Sequence, residues 1–599
     1  MGRRKFLAKT VAGVGGLVLG EVKLQAAEDL STAPAGSPPA FGTASGIDPE
    51  VSVQTFQEAE KLVQVSMSPA HLLQAANSWR ENLSSVYGRR TGPKKVALED
   101  GLVPYSTWNP LLDGAQAVVT QAYFSRSEED PGSLPQSDAA IAFASVSQLS
   151  RWIESRQLSS ERLTRIYLER LERYDRTLRC TITLMREQAL KNALKADAEI
   201  AAGHYRGPLH GIPWGAKDLI DTAGIATTYG AEPFRNRIPN QDAAVVTRLN
   251  QAGAILVAKL SLGALALNDV WFGGQTMNPW LLQEGSSGSS AGPGSATGAG
   301  LVGFSMGSET GGSIVSPSMR CGVTGLRPTY GRVARTGAMT LCWSLDKLGP
   351  MTRGVEDAIL VLSAIQGHDN GDAQSKDVPL HYDSKASIKG LRVGYFKSWM
   401  HEEPATEIDR NALETLEQMG LKTVEVTLPD WPYESLNTIL FAESAAAFED
   451  LTLSGKLDQL GVQTSDAWPN LFRQSRFLSA VDFVQADRLR RKVAKEMERI
   501  FKEVDLLLVP SLRDEILTIT NATGHPSLTM RAGFTEVSQV RSDWAPDPSR
   551  PLVHFPSPQR VPYGITLIGR LFDEGLICQV GRLLEKKLKV IDERPTGFA

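Results

Sequence analysis

Residues Glu284 to Pro328 read EGSSGSSAGPGSATGAGLVGFSMGSETGGSIVSPSMRCGVTGLRP, and the architecture turns on this stretch. Ten glycines lie between Gly285 and Gly312, and ten serines between Ser286 and Ser318. A flexible Gly/Ser linker shares that composition. Linkers, however, do not carry Leu301, Val302, Phe304, Met306 and Ile314 at strand-like intervals. The glycines are therefore read as places where backbone approaches a ligand closely or adopts positive φ.

Three short motifs match inside the stretch. Gly298-Ala299-Gly300-Leu301-Val302-Gly303 has the spacing of a dinucleotide-binding loop. Such a loop follows a strand and opens a helix, whereas Ser290 to Thr297 is broken by Gly and Pro. Gly303-Phe304-Ser305-Met306-Gly307 has the spacing of a nucleophile elbow, and His525 and His554 lie downstream in the order that an esterase triad needs. The helix that should follow the elbow would hold Gly311 and Gly312 in its early turns, at about 1 kcal/mol each. Gly288-Ser289-Ser290-Ala291-Gly292 repeats the elbow spacing without a preceding strand. The Ser305 reading stays open as an alternative.

Outward from this stretch the pattern is α/β. Ser159 or Ser160 is placed to cap a helix bearing Leu163, Ile166, Tyr167, Leu171 and Tyr174 on one face. Asp242 is placed to cap a second, which Gly253 ends before the apolar Ile255-Leu256-Val257. Val481 to Phe501 repeats at helical spacing and runs into Leu506 to Val509. Helices feeding short apolar strands predict a large mixed, mostly parallel twisted sheet covered by helices. Ahead of it, residues 51–140 read as an accessory helical region, with Phe56, Leu62, Leu72, Leu73, Trp79 and Leu83 as buried positions. Residues 28–50, rich in Ala, Ser, Pro and Gly, read as a linker. The catalytic domain is assigned to 141–599.

Arg3-Arg4 followed by Phe6-Leu7 opens residues 1–27, which resemble a twin-arginine export signal. The resemblance implies a periplasmic or otherwise extracytoplasmic protein, with no stable membrane insertion in the mature form. Lys+Arg 63 against Asp+Glu 67 leaves a net charge of -4, with no electrostatic footprint for nucleic acid. Cys180, Cys321, Cys342 and Cys578 are too widely spaced for a disulfide framework or a CxxC metal site.

Several ordered blocks together resemble the amidase signature family. They are Gly211-Ile212-Pro213-Trp214-Gly215-Ala216-Lys217-Asp218, then Asn278-Pro279-Trp280, then Gly288-Ser289-Ser290. Ser308-Glu309-Thr310-Gly311-Gly312-Ser313-Ile314 and Cys321 to Gly331 follow, and Tyr563 to Arg570 matches the family's closing strand. The resemblance covers about 141 to 590. It implies the amidase signature fold and hydrolysis of a small-molecule amide, with no cofactor and no metal. By position it implies Lys217, Ser289 and Ser313 as a catalytic set: Ser313 the nucleophile, Ser289 a bridging serine behind a cis peptide after Gly288, and Lys217 the base.

The chemistry supports those roles. A serine hydroxyl is a weak nucleophile until a base takes its proton, and no histidine lies in these blocks. Burial disfavours the ammonium form, so a buried Lys217 becomes a base near neutral pH. A relay through Ser289 then deprotonates Ser313 and, run in reverse, protonates the leaving amine. The backbone N–H groups of Thr310, Gly311, Gly312 and Ser313 are the candidate oxyanion hole, whose donors are each worth about 2.7–4 kcal/mol of barrier. Asp218, Gly288, Ser290 and Glu309 are read as supporting residues, Asp218 either orienting Lys217 or capping a helix. Two departures touch an acid–arginine brace for this loop. Val315 stands where many members have arginine, and Glu309 where aspartate is common. Arg320 is read as a replacement or as a substrate-facing group. The close relative that serves as the glutamine-hydrolysing A-type component of a tRNA amidotransferase is the second functional alternative. Neither substrate identity nor oligomeric state has a sequence signal.

Overall fold

The computed structural model describes residues 51–63, 68–83, 109–112, 117–463, 467–540 and 553–598. The expected signal at 1–27 and linker at 28–50 lie outside the described residues. Eleven strands build one sheet. They are β1 Thr181–Leu184, β2 Pro213–Lys217, β3 Ile255–Leu260, β4 Phe304–Glu309, β5 Thr324–Arg327 and β6 Lys347–Thr352. The others are β7 Arg392–Tyr395, β8 Lys422–Glu425, β9 Leu506–Pro510, β10 Ser527–Gln539 and β11 His554–Gly569. Their order is β8-β7-β9-β11-β10-β5-β6-β4-β2-β3-β1.

The helix-to-strand units form much as the apolar spacing predicts. Helix α1, Ser160–Leu178, starts where the Ser159 side chain accepts from Arg162 N–H, and it buries Leu163, Ile166, Tyr167 and Leu171. Helix α2, Ala244–Gln251, buries Val245, Val246 and Leu249, and Gly253 at φ +81° turns the chain into β3. Its expected cap is not used. Ala243 is the N-cap, and Asp242 instead accepts from Ala223 N–H at 2.8 Å, tying down a loop.

The sheet is mixed, as expected, but the parallel majority is not found. Strand β2 runs parallel to β3 and β4, and β7 runs parallel to β8 and β9. The six other neighbouring pairs are antiparallel. The reason is local. Helical crossovers such as α2 force parallel order, whereas the centre is built from returns such as the β10–β11 hairpin. The register of that hairpin runs from Ser527↔Ile568 out to Gln539↔His554.

The accessory region contains the helices Val53–Val63 and Pro69–Leu83. Of its expected buried positions Leu72 is buried, while Leu62 and Leu73 are 61% and 53% exposed. Among the described residues nothing covers either helix on that side. The region's C-terminal end is joined to the body: Tyr123–Ser125 pairs in parallel with His381–Asp383, and Ser127 N–H donates to Glu356 at 2.7 Å.

Candidate active site

Strand β2 lies between β3 and β4 with every residue buried, and it delivers Lys217 at its C-terminal end. The Lys217 Nζ is 2.8 Å from Ser289 Oγ, 3.0 Å from Ser290 Oγ and 2.9 Å from Ser308 Oγ. No carboxylate is within ion-pair distance of it among the described residues. Burial pushes the Lys217 pKa well below the ordinary lysine value, and the negative charges of Asp346 and Glu309 oppose that shift only in part.

Ser289 and Ser290 lead into helix α3, Ala291–Gly298. The Gly288–Ser289 peptide is cis. A Cβ at Gly288 would overlap the Asn268 carbonyl, and one at Gly292 would come within 2.5 Å of Cys180 O and Ser261 N. Gly288 and Gly292 thus let α3 and the segment leading into it lie close to neighbouring backbones.

The loop from Thr310 to Ser313 links β4 to helix α4, Val315–Cys321. Gly312 has φ +119°, a conformation that L side chains rarely adopt. The Ser290 N–H donates to Ser313 O at 3.1 Å, which holds Ser313 beside the Ser289–Ser290 pair. Ser313 is half-buried, unlike the fully buried Lys217. Among the described residues no protein acceptor takes the N–H of Gly312 or Ser313.

An acid–arginine brace exists, built from a different arginine. Glu309 Oε2 accepts from the N–H groups of Ile314 and Val315 at 2.7 and 3.0 Å, just after the loop. Its Oε1 accepts from Arg327 Nη1 at 2.7 Å and from Asn521 Nδ2 at 2.9 Å. Burial works to raise the Glu309 pKa, but Arg327 and the hydrogen bonds outweigh it and bring it to about 2. Arg327 sits on β5, inside the block Cys321 to Gly331, so its residue type was visible but not its pairing. Arg320 is not the replacement brace; it pairs with Glu284 at 3.5 Å.

Asp218 also departs from both readings offered for it. It forms a fully buried ion pair with Lys259 at 3.1 Å and accepts from Thr228 N and Oγ1 at 2.8 and 2.5 Å. No helix starts there, because β2 ends in a turn that crosses to the Thr228 loop.

The competing motifs find no matching geometry. Ser305 is fully buried inside β4, shares a hydrogen bond with Thr297 Oγ1 at 2.8 Å and donates to Pro293 O at 3.1 Å. His525 is buried against Thr523 Oγ1 at 2.8 Å and its pKa is pushed down to about 3 by burial; His554 is exposed. The glycines of 298–303 lie between helix α3 and strand β4, the reverse of the order a dinucleotide site needs. Ser308 and Asp346 were not singled out from sequence. Residues 304–309 alternate across a strand, so Ser308 shares a face with Thr310, and that periodicity was the available signal.

A family model described as Amidase matches residues 162–578. The chain belongs to the amidase family. The match spans Lys217, both serines and the Glu309–Arg327 brace. The A subunit of a glutamyl-tRNA(Gln) amidotransferase from Moorella thermoacetica is 33% identical over 488 residues, which is 76% of this chain and 99% of that protein. The native peptide amidase of Stenotrophomonas maltophilia superposes with a TM-score of 0.65 at 28% identity, covering 76% of this chain and 98% of its own. The A subunit of the glutamyl-tRNA(Gln) amidotransferase of Thermotoga maritima gives 0.59 at 25%, covering 76% and 96%. This amidase is a hydrolase of amide carbon–nitrogen bonds. Among its described residues no helix is long and apolar enough to cross a membrane.

Proposed function

We propose that this amidase hydrolyses a small-molecule amide through Lys217, Ser289 and Ser313, with an acyl-enzyme on Ser313. The observation that carries the reading is the buried Lys217 Nζ at 2.8 Å from Ser289 Oγ. Neutral Lys217 takes the Ser289 proton as Ser289 takes that of Ser313. The Ser313 alkoxide adds to the amide carbon, and the loop N–H groups of Gly312 and Ser313 receive the developing oxyanion. Returning the proton along the same path lets ammonia or an amine leave, and water then cleaves the ester. The half-buried position of Ser313 suits a group that must meet substrate, while the deeper lysine stays dry.

The pH dependence follows from the lysine. Its neutral form is the active one, so kcat/KM should rise with pH and level off below the ordinary lysine range near pH ~10. A panel of primary aryl and aliphatic amides and amidated dipeptides tests this. Lys217→Ala should lower kcat/KM at the plateau by about 10³-fold or more. A folded Lys217→Ala enzyme with full activity and an unchanged pH limb overturns the reading.

The second reading is the glutamine-hydrolysing component of a tRNA amidotransferase, favoured by the relative at 33% identity. Co-purification with partner proteins and glutamine-dependent ammonia transfer would establish it. We place the enzyme outside the cytoplasm instead, on the strength of Arg3-Arg4 and Phe6-Leu7. Arg3→Lys with Arg4→Lys should retain the protein in the cytoplasm, whereas the native chain fractionates with the periplasm; equal distribution of both contradicts export.

A further inference from the structure

Strand β4 sorts its terminal side chains onto two faces. Glu309 points to one, where Arg327 and Asn521 neutralise and hold it. Ser308 and Thr310 share the other by strand alternation, and Ser308 Oγ is 2.9 Å from Lys217 Nζ. The neighbouring strand fixes what lies opposite. Lys347 of β6 pairs with Glu309, so the residue just before it, Asp346, falls beside Thr310. There Asp346 Oδ1 accepts from Thr310 Oγ1 at 2.6 Å. Its Oδ2 accepts from Leu341 N and Cys342 N at 2.8 and 2.9 Å. Asp346 makes no ion pair among the described residues. The carboxylate is therefore tied both to the loop that carries Ser313 and to a facing loop, on the lysine's side of the sheet.

We propose that Asp346 is a positioning residue of the amide-hydrolysing centre: it anchors the Thr310–Ser313 loop through Thr310, and its negative charge sets how readily Lys217 gives up its proton. The proposal rests on the Lys217–Ser289–Ser313 reading. The charged groups that face the lysine are few. Asp346 and Glu309 are the acids that act on it. Glu309 is neutralised by Arg327 at 2.7 Å. Beside them, Lys347 donates to the Leu345 carbonyl and burial brings its pKa down to about 7. Arg335 and Lys347 both act on Asp346, Arg335 being engaged with Asp372 at 2.9 Å, and burial pushes the Asp346 carboxyl above the ordinary carboxylate value against the hydrogen bonds from Thr310, Leu341 and Cys342. Asp346 is thus the acid whose charge on this face is not cancelled by a contacting cation.

The sign is fixed. A nearby carboxylate stabilises the ammonium form of Lys217, so removing its charge lowers the lysine pKa. The test reads the rate at which a fluorophosphonate labels Ser313, followed by mass spectrometry across pH, which needs no knowledge of the substrate. Asp346→Asn keeps the shape and removes the charge. Its acid limb should move to lower pH by about one unit, with a slower plateau. Asp346→Glu should restore the native limb. Thr310→Val keeps the charge and removes the anchor, so it should slow the plateau several-fold and leave the limb in place. An Asp346→Asn limb superimposable on the native one overturns the electrostatic role, and a native plateau in Thr310→Val overturns the anchoring role. Should Asp346→Asn fail to fold, as judged by circular dichroism, Thr310→Val and Asp346→Glu decide the matter alone: a native plateau in the first, or a displaced limb in the second, overturns the proposal. Lys217→Ala separates the two levels. If it labels at the native rate with the native limb, the triad reading has failed and not merely the role of Asp346.

Discussion

Ser313→Ala should abolish amide hydrolysis, lowering kcat by roughly 10⁴–10⁶-fold while leaving the fold unchanged. The size follows from what is removed. Without the hydroxyl no acyl-enzyme forms, and Ser289 has no proton to receive. What remains is the oxyanion loop and binding, which still exceed water by about 10³–10⁴ in comparable hydrolases. The stability should hold because Ser313 contributes its backbone to the structure. Its carbonyl accepts from Ser290 N–H at 3.1 Å, and its hydroxyl makes no hydrogen bond among the described residues. The measurement is kcat on a hydrolysed amide together with the thermal midpoint. Retained activity with a native midpoint would move the nucleophile elsewhere.

Arg327→Met should have the largest effect on stability. It strips a fully buried carboxylate of its cation and leaves Glu309 with Asn521 and two backbone donors. Breaking a buried pair by removing one partner costs about 3–5 kcal/mol. Arg327 Nη2 also donates to His525 O at 2.8 Å, a bond lost with it. Because Glu309 holds the start of α4, the loop bearing Gly312 and Ser313 should loosen, and kcat should fall with the midpoint. The pH dependence has a definite sign. The Glu309 pKa is depressed from 4.5 to about 2 in the fold. Its contribution is therefore complete above pH ~4.5 and is lost as the pH falls toward 2. In Arg327→Met that acid-side loss should begin at higher pH. A stability within about 1 kcal/mol of native would refute the brace.

The candidate set Lys217, Ser289 and Ser313 was legible through the ordered blocks that resemble the amidase signature family, not through local spacing. A cap of α1 at Ser159 or Ser160, the Gly253 turn and the apolar strand core Ile255-Leu256-Val257 were legible from local pattern. What escaped was pairing across the sheet. Val315 in place of an arginine left the brace open, with Arg320 as one replacement, yet Arg327 supplies it from a neighbouring strand. Asp218 looked like a helper of Lys217 because it is adjacent in sequence. In space it faces Lys259, since alternate residues leave a strand on opposite sides. Ser305 carried a formal elbow motif but sits inside a buried strand, second of its six residues. The parallel majority failed similarly: helix-then-strand units announce parallel neighbours, while the antiparallel returns at the centre carry no comparable periodic signal.

The glycine run changes its meaning in the same way. Gly312 serves a positive φ in the loop beside Ser313, whereas Gly292 serves close contact between α3 and neighbouring backbones. One composition thus answers two physical demands, and only the second concerns packing.

The most direct test is to quench turnover of a hydrolysed amide with acid and map the protein by mass spectrometry. The expected result is an added acyl mass on the peptide carrying Ser313, absent in Ser313→Ala and formed far more slowly in Lys217→Ala. An acyl group on Ser305 or on any other residue, or its undiminished formation without Lys217, would contradict the lysine–serine relay.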